Sequence, residues 1–174
     1  VYAGCREPMI KGWRTVEEVH GKDGMGNSFF PKPIKEGQKK HAVNAIIDAI
    51  NQSPGLIDFV ELAPMTNLAM ALKMDRSIAE KIRHLYFMGG THNYPGNITP
   101  VAEFNMWVDP DAANIVLNSG IPKTMVTWDV TMKYGSIVGD ELNMIRAMKT
   151  KYSEFFIKIN RVVMEFTSRS YGTE

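Results

Sequence analysis

The feature that most restricts the fold is a run of short apolar segments separated by helical ones. Leu56-Ile57-Asp58-Phe59-Val60-Glu61-Leu62, Leu85-Tyr86-Phe87-Met88 and Thr124-Met125-Val126-Thr127-Trp128-Asp129-Val130 read as strands. Val43, Ile46, Ile47 and Ile50 recur at helical spacing, predicting an amphipathic helix over about 40–52 that Ser53-Pro54-Gly55 ends. Thr66-Asn67 opens an apolar helix to about Met74, and Ser77 starts a further turn or two to about Arg83. Asp109-Pro110 sets Asp as N-cap and Pro at the first helical position, and Gly120 suits the C-terminal cap. Residues 91–108 read as a polar loop with aromatic residues, and the chain from Ser136 onward as mostly helical. Strand, helix, strand, helix, strand at this spacing predicts parallel βαβ units. The fold class is therefore α/β, an open, mostly parallel sheet with flanking helices. Ligands bind such sheets at the carboxyl ends of the strands. Here those ends are Leu62, Met88-Gly89-Gly90 and Val130-Thr131.

At 174 residues, 1–174 is taken as a single domain. Residues 5–40, rich in Gly, Pro and Lys, read as a long irregular loop, and such loops are more often functional than decorative. A net charge of +1 gives no field to recruit a nucleic acid or an anionic membrane. No apolar run approaches a membrane span. Cys5 is alone, so it forms neither an internal disulfide nor a thiolate metal site, and a cytoplasmic location is expected. The twelve methionines and Trp13, Trp107 and Trp128 are assigned to the core by default.

The richest chemistry lies in Gly96-Asn97-Ile98-Thr99-Pro100-Val101-Ala102-Glu103-Phe104-Asn105-Met106-Trp107. Two carboxamides that donate and accept, with a carboxylate that only accepts, suit a hydroxyl-rich ligand such as a sugar. They suit phosphate poorly, because Glu103 repels it. The plainer alternative is a loop whose Asn and Glu satisfy its own backbone. Asn97-Ile98-Thr99 also fits the glycosylation sequon, a weak three-residue pattern. His20, in a Gly-rich loop, has a surface or capping role as its plain alternative. For Asp129 the plain alternative is partnership with nearby backbone N–H groups.

Several of these segments together resemble the inosine/uridine-type nucleoside hydrolases. Val101-Ala102-Glu103-Phe104-Asn105, followed by Asp109-Pro110-Asp111-Ala112-Ala113, looks like that family's ribose-binding signature. Leu62-Ala63-Pro64-Met65-Thr66-Asn67-Leu68-Ala69 is similar to its strand-end turn. Met88-Gly89-Gly90, Trp128-Asp129-Val130-Thr131 and His20-Gly21-Lys22-Asp23-Gly24-Met25-Gly26 match further segments. The resemblance implies a Rossmann-like nucleoside-hydrolase core and hydrolysis of ribonucleosides to ribose and free base. It implies that Asn97, Glu103 and Asn105 hydrogen-bond ribose hydroxyls, that Met88 lies against the sugar and that His20 sits near the base as a catalytic residue. It implies a Ca2+ ion with the Leu62 main-chain carbonyl as one ligand; the Leu62 side chain is expected in the core on any reading. It suggests a homodimer or homotetramer.

The sequence departs from the family at two places. No run like the family's N-terminal Asp-x-Asp-x-Gly-x-Asp-Asp, which supplies most calcium ligands and the general base, occurs in it. The C-terminal His-Asp segment is absent too. The expectation is a fragment, the central part of a longer nucleoside hydrolase, that alone neither holds calcium tightly nor turns over nucleosides. The alternative function is a non-catalytic nucleoside- or sugar-binding homologue; a third is an interaction module that binds no nucleoside.

Overall fold

The computed structural model describes residues 1–171; positions 172–174, within the tail read as helical, lie outside the described residues. In chain order the elements are α1 (Glu17–His20), α2 (Ala42–Gln52), β1 (Ile57–Glu61), α3 (Thr66–Met74), a 3-10 turn (Arg76–Lys81), β2 (Ile82–Met88), α4 (Phe104–Val108), α5 (Pro110–Leu117), β3 (Lys123–Val126), α6 (Trp128–Tyr134), α7 (Gly139–Ala147) and α8 (Lys151–Tyr171). Contacts cluster into two compact units. The first is Val1–Trp13 with Lys35–Gly135; the second is Arg14–Ile34 with the chain from Ser136 onward.

The first unit holds an open parallel sheet in the order β1-β2-β3. Its core lies where the sheet meets α2, α3 and α5: Val43, Ile50, Leu68, Ala69, Leu72, Leu85, Phe87, Ala112 and Val116 are all buried. The four apolar positions of α2 face this core, Val43 and Ile50 fully and Ile46 and Ile47 in part. Strand β2 buries Ile82, Leu85 and Phe87, which breaks strict alternation. The cause is a bulge: Ile57 pairs with Ile82 but Asp58 pairs with His84, so Arg83 is an extra residue. Arg83 then turns outward, and its guanidinium grips Asp58, Nε to Oδ1 at 2.7 Å. The helical turn expected to about Arg83 therefore stops at Lys81, and the strand starts at Ile82.

Strand β3 is shorter than its apolar run. It ends at Val126, and Trp128-Asp129-Val130 forms the first turn of α6. Trp128 N–H donates to the Gly90 carbonyl at 2.8 Å, and Asp129 lies where a helix favours negative charge. Within 91–108, expected as loop throughout, Phe104–Val108 is helical. Asp109 caps α5 as expected, accepting from Ala112 N–H at 3.1 Å. The methionines mostly do not fill the core: Met65 is buried, but Met74, Met125, Met144 and Met148 are exposed. Trp13 is exposed, with the Arg6 guanidinium over its ring, and Trp107 and Trp128 are half-buried.

The second unit is built on α7 and α8 and on the segment carrying α1. Residues 5–40 are irregular apart from α1. The glycine loop docks on α8: Ser28 Oγ donates to the Lys158 carbonyl and Arg161 to the Gly26 carbonyl, both at 3.3 Å. A Cβ on Gly26 would lie 2.5 Å from the Ile159 carbonyl oxygen, so this approach requires glycine. The rings of Phe30 and Phe155 meet with centroids 5.6 Å apart. No described helix is long and apolar enough to cross a membrane.

Two buried acids in the first unit generate predictions. Asp109, fully buried, accepts from Thr66 Oγ1 (2.6 Å), Met9 N–H (3.0 Å) and Ala112 N–H, and so ties the N-terminal segment, α3 and α5 together. Asp109→Ala strands all three donors and removes a cap, and chemical denaturation should show a loss of about 2–4 kcal/mol. An unchanged midpoint would contradict that role. Glu61 is the opposite case: it is buried at the end of β1, and its Oε2 has no partner among the described residues. Burial pushes its pKa from 4.5 up to about 8. The unfolded chain releases this proton near 4.5, whereas the folded chain keeps it to about 8. Between those values the unfolded state binds fewer protons, so stability falls as pH rises. The 174-residue chain should lose on the order of a few kcal/mol from pH 5 to pH 8, and Glu61→Gln should remove most of that slope. Parallel pH slopes for the two proteins would refute this.

Candidate functional site

Three strand ends form one edge of the sheet. Glu61 pairs with Phe87, so Leu62 and Met88 each lie one residue beyond that pair, and Met88 pairs with Val126 of β3. The chain leaves β2 through Gly89 and Gly90. A Cβ on Gly89 would sit 2.5 Å from Met106 Cε, so the turn packs directly against α4.

Glu103 organises this edge. It is the N-cap of α4 and is almost completely buried. Its two oxygens accept from Asn105 N–H at 3.0 Å, and Oε2 also accepts from Met106 N–H (3.3 Å) and Gly90 N–H (3.0 Å). One carboxylate thereby joins the exit of β2 to the start of α4. Oε1, with a single donor, retains capacity for another. Asn105 Nδ2 donates to the Met88 carbonyl (3.1 Å) and contacts Met88 Sδ (3.3 Å). Its Oδ1 takes no partner among the described residues. Asn97, an exposed residue, accepts from Phe104 N–H through Oδ1 at 2.8 Å, and its Nδ2 takes no partner among the described residues. Met88, Asn97, Glu103 and Asn105 thus come together in one hydrogen-bonded group. Part of each polar side chain serves the backbone, and part remains for a ligand with both donors and acceptors.

Leu62 follows β1 with its side chain 76% exposed, so the expectation that it is core fails. It is the first residue past the strand, and the inside-outside alternation of β1, which buries Glu61, continues through it and turns Leu62 outward. Its carbonyl is one oxygen, whereas calcium takes roughly six to eight. Among the described residues, no group of three or more His, Cys, Asp or Glu side chains could hold a metal. These residues therefore do not make a calcium site.

His20 belongs to the second unit, at the end of α1 and exposed. Its carbonyl accepts from Gly26 N–H at 2.9 Å, closing the glycine loop. Asp23 holds that loop inside, accepting from Phe29 (2.7 Å), Asn27 (2.8 Å) and Met25 (2.9 Å) N–H groups. Those bonds, Phe29 first, hold its carboxyl below the usual range. Asp129 does what its plain alternative states: it accepts from the N–H groups of His92 (2.9 Å) and Asn93 (2.7 Å). Glu61 was not among the sequence candidates. A carboxylate inside Val60-Glu61-Leu62, in a run reading as a buried parallel strand, was the available signal.

With this geometry in place, similarity to known proteins is informative. The family model described as inosine-uridine preferring nucleoside hydrolase matches residues 1–174. An inosine-uridine preferring nucleoside hydrolase from Leishmania major is 35% identical over 176 aligned residues, covering 100% of this chain and 54% of that protein. A pyrimidine-specific ribonucleoside hydrolase from Escherichia coli is 38% identical over 131 residues, covering 75% of this chain and 42% of its own length. Among solved structures, a purine-preferring ribonucleoside hydrolase from Gardnerella vaginalis superposes with a TM-score of 0.88 at 29% identity, over 98% of this chain and 55% of that one. A plant nucleoside hydrolase superposes at 0.90 and 27% identity, over 99% and 54%. The chain spans about half the length of these relatives. The match along its whole length shows that this chain belongs to the inosine-uridine preferring nucleoside hydrolase family.

Proposed function

We propose that the protein carrying these residues hydrolyses the N-glycosidic bond of ribonucleosides, releasing ribose and a free nucleobase. The observation that supports this most is the Met88–Glu103–Asn105 group at the carboxyl end of β2, in a chain of this family. Water adds to the anomeric carbon, the C–N bond breaks, and its electron pair leaves with the base, which takes up a proton. The transition state is oxocarbenium-like and carries positive charge on the sugar. A buried Glu103 carboxylate beside the ring favours that charge and accepts from a hydroxyl through Oε1. Asn97 Nδ2 donates to a ribose oxygen and Asn105 Oδ1 accepts from a hydroxyl, which fixes the ring for attack. Met88 supplies an apolar wall. The family resemblance gives His20 a part in the departure of the base.

The proposal includes a calcium requirement, with the Leu62 carbonyl as one ligand among oxygens that the described residues do not provide. No step is assigned to the ion from this chain.

Relatives named for purine, pyrimidine and mixed preference all match, so the test uses both base classes. Reducing sugar released from uridine and inosine, with and without chelator, by the longest polypeptide the source encodes is the measurement. Release that stops on chelation is expected. Glu103→Gln should lower kcat/KM by about a hundredfold or more, with little change in far-UV circular dichroism. Nucleoside binding without release would replace hydrolysis by the binding reading. Neither binding nor release would leave an interaction module.

A further inference from the structure

The segment bearing Asn97 leaves the sheet at Gly90, and Gly90 is held on both sides. Its N–H donates to Glu103 Oε2 at 3.0 Å, and its carbonyl accepts from Trp128 N–H at 2.8 Å. Its φ of +67° is in the left-handed region, so a glycine is needed for this double attachment. The next residues are secured by one side chain. Asp129 Oδ2 accepts from His92 N–H at 2.9 Å and lies 3.3 Å from Thr91 Oγ1, while Oδ1 accepts from Asn93 N–H at 2.7 Å. Thr91 Oγ1 donates onward to the Tyr94 carbonyl at 2.6 Å. Farther along, the segment folds on itself, with Gly96 N–H donating to the Pro100 carbonyl at 3.1 Å and Ile98 N–H to the Ala102 carbonyl at 3.3 Å. Asn97 then reaches Phe104 N–H at 2.8 Å.

The loop between β2 and α4 thus has two carboxylate anchors. Glu103 fixes its far end and Asp129 its near end. Asp129 lies on another element, the first turn of α6, 36 to 38 residues beyond the positions it holds. We propose that Asp129 is a positioning residue for hydroxyl recognition: it clamps residues 91–93 and so fixes where Asn97 sits relative to Glu103 and Asn105. The proposal rests on the nucleoside hydrolase reading of the site. Asp129 itself need not touch the substrate. Its anchoring bonds, His92 first and then Asn93, hold its pKa down to about 2, so it stays a carboxylate at working pH.

The test compares the parent polypeptide, in its longest encoded form, with Asp129→Asn. Asp129→Ala is a second variant, and thermal unfolding checks that each is folded. Amide hydrogen exchange is read at His92, Asn93 and Phe104. The Phe104 amide reports on the Asn97 contact, twelve positions from the lost anchor and on another element. Its exchange should quicken by about tenfold in Asp129→Asn, as loss of a charge-assisted bond implies. In parallel, kcat/KM is measured for ribonucleosides and their 2′-, 3′- and 5′-deoxy counterparts. The parent's preference for the full ribose should shrink by about tenfold for at least one hydroxyl. A merely structural residue would lower activity on all sugars alike. Loss of protection at His92 and Asn93 with an unchanged Phe104 rate, or an unchanged ribose preference in an active variant, overturns the proposal. A parent that releases sugar from none of these compounds refutes the hydrolase reading, and the Phe104 rate then decides alone whether Asp129 positions Asn97.

Discussion

The Glu103 carboxylate is the contact on which the arrangement of the first unit's site depends. Burying an ionised carboxylate is costly unless hydrogen bonds replace its water. Glu103 meets that condition with backbone N–H groups from Gly90, Asn105 and Met106. Those donors belong to the exit of β2 and the start of α4, so satisfying the charge also joins the two elements. The consequence reaches the chemistry directly. With α4 begun at Phe104, Asn105 lies against Met88, its amide nitrogen on that carbonyl and its oxygen left over. The Glu103 side chain is thus the reason these groups stand together at the end of β2.

The same economy recurs around the chain. Asp23 holds the glycine loop, Asp109 joins the N-terminal segment to α3 and α5, and Asp129 holds residues 91–93. Each gathers N–H groups that irregular backbone leaves without a ladder partner. Glu61 departs from the pattern: it is buried, its Oε2 has no donor among the described residues, and its acid is held protonated to about 8. Two buried glutamates near one edge of the sheet thus differ in what their neighbours donate: backbone N–H groups meet Glu103, and none meets Oε2 of Glu61 among the described residues.

Much of the fold was legible because it rests on periodicity. The spacing of Val43, Ile46, Ile47 and Ile50 gave α2 and its buried face, and Asp109-Pro110 gave the start of α5. The three apolar runs gave the parallel sheet. Failures came where tertiary contacts outvoted local pattern. Thr124 to Val130 reads as one strand, but Trp128 bonds Gly90 and Asp129 bonds the facing loop, so the chain turns into α6. The bulge at Arg83 and the exposure of the Leu62 side chain follow from register, which apolar pattern alone does not encode. Of the site, the motif residues Met88, Asn97, Glu103 and Asn105 stood out in the sequence, and the structure brings them together. How far each is engaged with its own backbone was not readable, because those partners lie up to seventeen residues away.

That engagement narrows where acid–base chemistry can come from. A general base works best with a pKa near the working pH. Asp129, held down to about 2, is a weak base, and Asp23 is shifted in the same direction by the same kind of bond. What makes these carboxylates good clamps makes them poor proton acceptors, since every backbone donor that steadies the anion also lowers its affinity for a proton. The family resemblance places the general base in an Asp-rich run that this sequence does not contain. Asp129 is a poor stand-in for that run, because its oxygens already hold residues 91–93. A carboxylate that gathers several backbone donors is thereby suited to holding a loop in place rather than to taking up a proton.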